Sequence, residues 1–386
     1  MRTSATTAIA LILCIGLGAS AQRRVAHGGL IAPPVMRPAA TRHFLRFSPD
    51  GRYIVAQDRS EVTVLSVEPL AILFRIPAKY AGQAQFTPDS RGIFFAVSAA
   101  RAAAVDGGAA PRELLDRSAP YVERWSIADR AHIASTEIRL QDCPVGGLSP
   151  DSRALVCIDS HGTLRVIDVE SGETIFERRQ FAKPFVTWED NSMDPFPRHE
   201  SGNPSSARVR FSADGRFVVA LPVDARGSAV AFDLRQRTAV RLTGELKRLR
   251  TEVENSAMQF TFVGAERVMM SPRFLVAHRR TVAAALVAFP SGEVLSKSEL
   301  PPGTLINASD PGFILIWPLP WLAYFDPDYT ERAKAVELST GQVIMSDTLA
   351  LDVIGNHYIA ERITGELALY ERGKPAPVAT VRLDAP

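Results

Sequence analysis

From His43 onward, the chain alternates short runs of β-forming residues with clusters of Gly, Pro, Asp and Ser. Phe44 to Phe47, Tyr53 to Ala56, Val62 to Val67 and Ala71 to Ile76 form the first quartet of such runs. Their length and bounding residues predict strands rather than helices. The link between the first two runs, Phe47-Ser48-Pro49-Asp50-Gly51-Arg52-Tyr53, reads as a tight turn. Pro fixes φ at the first corner, Asp can accept from the backbone that follows it, and Gly takes the position with φ > 0.

That turn recurs as Phe86-Thr87-Pro88-Asp89-Ser90-Arg91, Leu148-Ser149-Pro150-Asp151-Ser152-Arg153 and Phe211-Ser212-Ala213-Asp214-Gly215-Arg216. A second signature, an apolar-acid-apolar triplet before a Gly turn, occurs at Ile167-Asp168-Val169-Glu170-Ser171-Gly172 and again at Val336-Glu337-Leu338-Ser339-Thr340-Gly341. Phe232-Asp233-Leu234 repeats the triplet, and Phe289-Pro290-Ser291-Gly292 and Tyr370-Glu371 are degenerate copies. Self-similarity at tens of residues marks a repeat architecture. The two signatures together predict seven units, starting near residues 43, 83, 143, 206, 257, 304 and 349. The fifth offers one strand too many, with Met258 to Val263, Arg267 to Met270 and Phe274 to Ala277, so six and eight units stay open. The expected fold is all-β, a propeller of four-stranded antiparallel blades spanning residues 43–386 as one domain.

These motifs resemble the bacterial WD-repeat-like β-propellers, such as those of TolB-type periplasmic proteins and the propeller domains of prolyl oligopeptidases. The likeness covers about residues 43–383 and implies fold rather than activity. It departs from the eukaryotic WD pattern, because no Gly-His pair opens the units and the Trp-Asp pair is replaced by Ile167-Asp168, Phe232-Asp233 or Val336-Glu337. No hydrolase domain like that of the peptidases is expected within these 386 residues.

The first residues carry a different pattern. Arg2, the apolar run Ala8 to Leu17 and Ala19-Ser20-Ala21 predict a signal peptide over 1–21, cleaved before Gln22, with an uncleaved anchor as the rival. Residues 22–42, rich in Gly and Pro, read as an extended lead-in. The expectation is a periplasmic or secreted protein with no integral membrane span after cleavage. A formal net charge of +2 without a Lys/Arg run argues against nucleic acid as the main partner. Cys143 and Cys157 flank one hairpin in that oxidising setting. If Leu148 faces Arg153, they fall one residue out of phase, which leaves a disulfide and two buried thiols both open.

Four long insertions interrupt the repeats: Ala99 to Pro120, Arg178 to Ser206, Gly244 to Ser256 and Pro318 to Arg332. Each joins the second strand of a blade to its third, or the fourth to the next blade, so all four are expected on one face. Two are rich in side chains that anchor interfaces. Trp188, Glu189, Asp190, Phe196 and His199 lie in one, and Trp321, Tyr324, Phe325 and Tyr329 in the other, within a stretch that begins at Trp317. The structural alternative is that these rings fold back onto their own blades. In the third insertion, Leu246, Leu249 and Val253 have helical spacing and predict a short capping helix.

No G-x-S-x-G, H-E-x-x-H, C-x-x-C or Gly-rich phosphate loop is present, so no catalytic residue, metal site or cofactor is assigned. The sequence therefore leads to a non-catalytic scaffold that binds an envelope or extracellular protein or peptide through its long loops. The alternative is a lactonase- or lyase-like propeller enzyme acting on a sugar or small molecule, with Glu189, Asp190 and His199 as its candidates. The Asp and Glu that repeat with the blades are expected to serve turns or cross-strand bonds rather than a single site.

Overall fold

A strand packed on both faces reads as a continuous apolar run, whereas one at the rim keeps its polar residues. The computed structural model sorts the strands in this way. It describes residues 43–58, 60–78, 81, 83–97, 121–137, 145–159, 161–181, 209–221, 228–249, 258–272, 281–301, 303–317, 332–362 and 364–383.

Blade 1 comprises β1 (Phe44–Phe47), β2 (Tyr53–Gln57), β3 (Glu61–Ser66) and β4 (Ala71–Pro77). Blade 2 comprises β5 (Gln85–Phe86), β6 (Gly92–Val97), β7 (Tyr121–Ser126) and β8 (Ala131–Glu137). Blade 3 has β9 (Val145–Leu148), β10 (Ala154–Ile158), β11 (Leu164–Asp168) and β12 (Thr174–Arg178). Blade 4 has β13 (Val209–Phe211), β14 (Phe217–Ala220), β15 (Val230–Asp233) and β16 (Thr238–Val240). Blade 5 has β17 (Met258–Phe262), β18 (Arg267–Pro272), β19 (Val282–Ala288) and β20 (Val294–Leu300). Blade 6 has β21 (Thr304–Asn307), β22 (Phe313–Trp317), β23 (Ala333–Glu337) and β24 (Val343–Thr348). Blade 7 has β25 (Ala350–Ile354), β26 (His357–Glu361), β27 (Glu366–Glu371) and β28 (Ala379–Arg382).

Each blade is an antiparallel sheet of four consecutive strands. The fold is therefore all-β with seven blades, and among the described residues the one helical piece is a 3₁₀ turn at Gly244–Arg248. The open count in the fifth unit closes in favour of seven: its third strand is β19, and the run Phe274 to Ala277 lies outside the described residues.

The second strands β10 and β22 are buried at every position, while the fourth strand β20 is exposed along most of its length. The core lies between the blades. Val55, Val64, Ile93 and Phe95 pack blade 1 on blade 2, and Val156, Val166, Val218 and Phe232 pack blade 3 on blade 4. Another cluster joins blades 6, 7 and 1, with Trp317, Leu351, Leu367 and Phe47 among its members. Burial at about 25 cal/mol per Å² of apolar surface is what holds such a ring together.

Packing is not the whole of ring closure, although the absence of a shared strand suggests that it would be. At the seam between the last blade and the first, Glu361 accepts the His43 N–H at 2.8 Å and meets His43 Nδ1 at 2.9 Å. Asp352 accepts the Phe47 N–H at 2.8 Å. Contacts more than 300 residues apart in the chain thus add polar bonds to the packing.

The cysteine hairpin has a different register from the one the sequence suggests. Ser149 N donates to Ala154 O, so the turn takes Pro150 to Arg153 and Leu148 faces Leu155 rather than Arg153. Cys157 then faces Gly146. Cys157 is disulfide-bonded, and its partner lies outside the described residues, as Cys143 and Cys14 both do.

Candidate functional site

Strand order divides the ring into two faces. Within a blade the second-to-third connection, and between blades the fourth-to-first, leave from the same side. Residues 98–120 lie between β6 and β7, and residues 318–331 between β22 and β23. Residues 182–208 lie between β12 and β13, and the segment from Gly244 lies between β16 and β17. The strand ends flanking all four insertions therefore share one face, and the repeated tight turns occupy the other.

The tight-turn face uses its polar groups on itself. In the first turn, Ser48 Oγ donates to Asp50 Oδ1 at 2.7 Å and accepts the Tyr53 N–H at 2.9 Å, while Asp50 Oδ1 accepts the Arg52 N–H at 3.1 Å. The third and fourth turns repeat this through Ser149 with Asp151 and Ser212 with Asp214, and the second does so through Thr87 with Asp89. Gly51 and Gly215 sit at φ +73° and +68°, and Ser90 and Ser152 accept the same left-handed conformation at +59° and +58°. Asp89 is held below the usual carboxylate range by the Thr87 hydroxyl first and the Arg91 N–H second. For Asp50, burial pushes upward, but the bonds from Ser48 and Arg52 outweigh it and hold the group low.

The second signature does similar work. Asp168 Oδ1 accepts the N–H groups of Ser171 at 2.9 Å and Glu170 at 3.0 Å, and the Ser171 bond leads in holding that carboxyl low. Asp233 accepts the N–H groups of Arg235 and Gln236, each at 2.9 Å. Of the two roles their recurrence allows, turn and cross-strand bonding, these bonds are to the backbone of the turn.

The nine residues singled out for binding (Trp188, Glu189, Asp190, Phe196, His199, Trp321, Tyr324, Phe325 and Tyr329) lie outside the described residues. What is described is the foot of each insertion. Trp317, which opens the aromatic stretch, is the last residue of β22, 6% exposed, with its ring 6.4 Å from that of Phe44. This ring is core, in line with the fold-back alternative for that one position. β22 pairs with β23 up to Ile316 opposite Lys334, Ala333 faces Thr348 on β24, and Trp317 Nε1 and Thr348 Oγ1 are both buried without a hydrogen-bond partner. Beside them the half-buried Lys334 has its ammonium pushed below the usual range by burial.

The third insertion opens with the 3₁₀ turn, shorter than the sequence spacing suggests, because Leu246 and Leu249 enter the wedge between blades 4 and 5. Glu245 N donates to Gly292 O at 3.0 Å, and a Cβ on Gly292 would lie 2.0 Å from Thr243 O, so this joint needs glycine. Phe181, the last described residue before 182–208, is likewise buried, against blades 3 and 4.

Sequence reasoning missed the two buried carboxylates at the seam, Asp352 and Glu361. A signal existed for the first, since Asp352 interrupts the apolar run Ala350-Leu351-Asp352-Val353-Ile354, and an acid in a buried run needs donors. Burial pushes the Asp352 carboxyl up, opposed by the charge of Arg46 and by bonds from Ser309 and Phe47. Among the described residues, no group of three or more His, Cys, Asp or Glu is placed to hold a metal ion.

No protein-family model matches the chain, and no curated protein sequence matches it. Among solved structures, a chain described as Kuenenia stuttgartiensis hydrazine synthase is similar with a TM-score of 0.50 at 12% identity, over 90% of this chain and 99% of that one. Similarity at that identity is one of fold and leaves the TolB-type resemblance a matter of sequence motifs. Geometry and comparison agree on one conclusion: this chain is a seven-bladed β-propeller.

Proposed function

We propose that this propeller is an exported binding scaffold that engages a protein or peptide of the cell envelope through its long-insertion face. The observation that carries the reading is that the strand ends flanking the four longest connections share the face opposite the tight turns. Loops on a rigid frame are where recognition concentrates. Trp188, Phe196, Trp321, Tyr324 and Tyr329 supply the anchors, with Phe325 among them, and Glu189, Asp190 and His199 supply polar contacts. The leader-like N-terminus supports export, and so does the disulfide at Cys157, since such bonds persist in oxidising compartments.

The test is affinity capture from envelope extract with the mature chain, beside a variant carrying Trp188→Ala, Trp321→Ala and Tyr324→Ala, after both are shown to be equally folded. A partner retained by the first and lost by the second is the expected result. A partner retained equally by both would overturn the assignment of the face. The solved neighbour carries the name of an enzyme, but at 12% identity it transfers no catalytic residue. A stoichiometric divalent ion in the purified protein would instead favour the enzyme alternative.

A further inference from the structure

The seven junctions between blades are not closed by the same chemistry. At junction 1/2, Gln57 ends β2 and its Oε1 accepts the N–H of Ala84, the residue before β5, at 2.7 Å. Glu361 has the same place at junction 7/1: it ends β26 and accepts the N–H of His43, the residue before β1. Neutral amides serve elsewhere too. Gln85 donates to Leu148 O across junction 2/3, and Gln259 accepts Leu305 N–H across junction 5/6. Among the described residues, carboxylates join inner strands only around blade 7.

The reason for donors at this seam follows from the pairing of β1. Ser48 N donates to Tyr53 O, so the N–H groups of the odd residues His43, Leu45 and Phe47 turn away from β2. Carboxylates of blade 7 take two of these free-edge donors, Glu361 at one end of β1 and Asp352 at the other. Asp352 also accepts from Ser309 of blade 6, through N–H at 2.9 Å and Oγ at 2.5 Å, while Ser309 Oγ lies 3.3 Å from Phe47 O.

Two complete hydrogen-bond assignments fit these positions. With Asp352 ionised, the carboxylate accepts from Phe47 N, Ser309 N and Ser309 Oγ. When Oδ2 takes a proton from solvent it donates to Ser309 Oγ, which turns its own proton to Phe47 O. The neutral form then links blades 7, 6 and 1 in one relay without a buried charge.

We propose that Asp352 and Ser309 form a proton-dependent latch at the seam of the ring, tighter when Asp352 is neutral. The direction of the Asp352 titration agrees, since burial raises it. A carboxyl with a raised value in the closed ring contributes stability at low pH, lost as pH rises from its ordinary 3.8 toward the raised value. The charged and titratable neighbours are few. From β1, Arg46 faces the group and donates to Asn307 O at 2.9 Å. From the β21–β22 turn comes Asp310, whose carboxylate accepts Gly355 N–H at 2.9 Å and Gly312 N–H at 2.7 Å. On β26 the cross-strand partner is Ile359, and His43 with Glu361 lies at the other end of β1.

The experiment is hydrogen–deuterium exchange of the peptide containing Phe47 in the full mature protein, from pH 4 to pH 9, corrected for intrinsic exchange. Protection should fall by up to about tenfold per pH unit within the titration window and level off above it. Asp352→Asn should remove that dependence while other titrations remain. A flat wild-type profile, or a slope that survives in Asp352→Asn, would overturn the proposal. Should that variant fail to fold, Arg46→Met decides. Removing the opposing charge should move the window to higher pH, and an unmoved window would contradict the latch.

Discussion

The two faces of this ring use polar residues in opposite ways. On the tight-turn face, Asp50, Asp89, Asp151 and Asp214 each accept from a hydroxyl two residues back, and Asp168 and Asp233 accept from backbone that follows them. Their hydrogen-bonding capacity goes into the fold. On the opposite face, the described feet of the insertions are apolar plugs, Phe181, Leu246, Leu249 and Trp317, driven between blades. Under the proposed function, recognition would draw on the insertions that begin or end at these plugs rather than on the plugs themselves. Each of these insertions thus has a buried root next to a strand end.

The largest expected effect attacks a root. Leu246→Ala empties a fully buried position between blades 4 and 5 and should cost about 2–5 kcal/mol in denaturant unfolding. A cost near zero would show that the 3₁₀ turn is a passenger and that roots and loops are not distinct. Next comes a turn. Ser212 is fully buried, and its Oγ accepts the Phe217 N–H at 2.8 Å. Ser212→Ala leaves that donor unpaired and should cost about 1–3 kcal/mol without altering binding at the other face. A binding defect at unchanged stability would break the comparison.

The repeated turns were legible in the sequence because Pro, Asp and Gly each dictate a local backbone state, and they place the blade starts while leaving the count open at the fifth unit, where β19 decides for seven. The seam was not legible. Phe47 and Asp352 lie 305 positions apart, and no local propensity reports on such a pair. The cysteine hairpin shows the intermediate case. The motif marks its turn but not the register, because Ser149 pairs with Ala154 and the four-residue turn lies at Pro150–Arg153 rather than one residue earlier. Of the binding residues proposed from sequence, none lies among the described residues. Residue type and connectivity alone identify them.

A smaller effect separates the turn acids from the seam by pH. Asp50, Asp89 and Asp168 are held below the ordinary carboxylate value, so their contribution is present above that value and lost as pH falls through their lowered ones. Unfolding curves should therefore show stability declining below about pH 4, with Asp168→Asn reducing the decline. This sign is opposite to that of Asp352, so turn face and seam should separate cleanly in one titration series.

The division of labour between the faces is tested most directly by site-specific photo-crosslinking in cells. A photoreactive amino acid replaces Tyr329, in the insertion between β22 and β23, in one strain and Arg153, exposed on the tight-turn face, in another. An adduct with an envelope protein from the Tyr329 position alone is the predicted result. Adducts from Arg153 alone, or equally from both, would contradict the account.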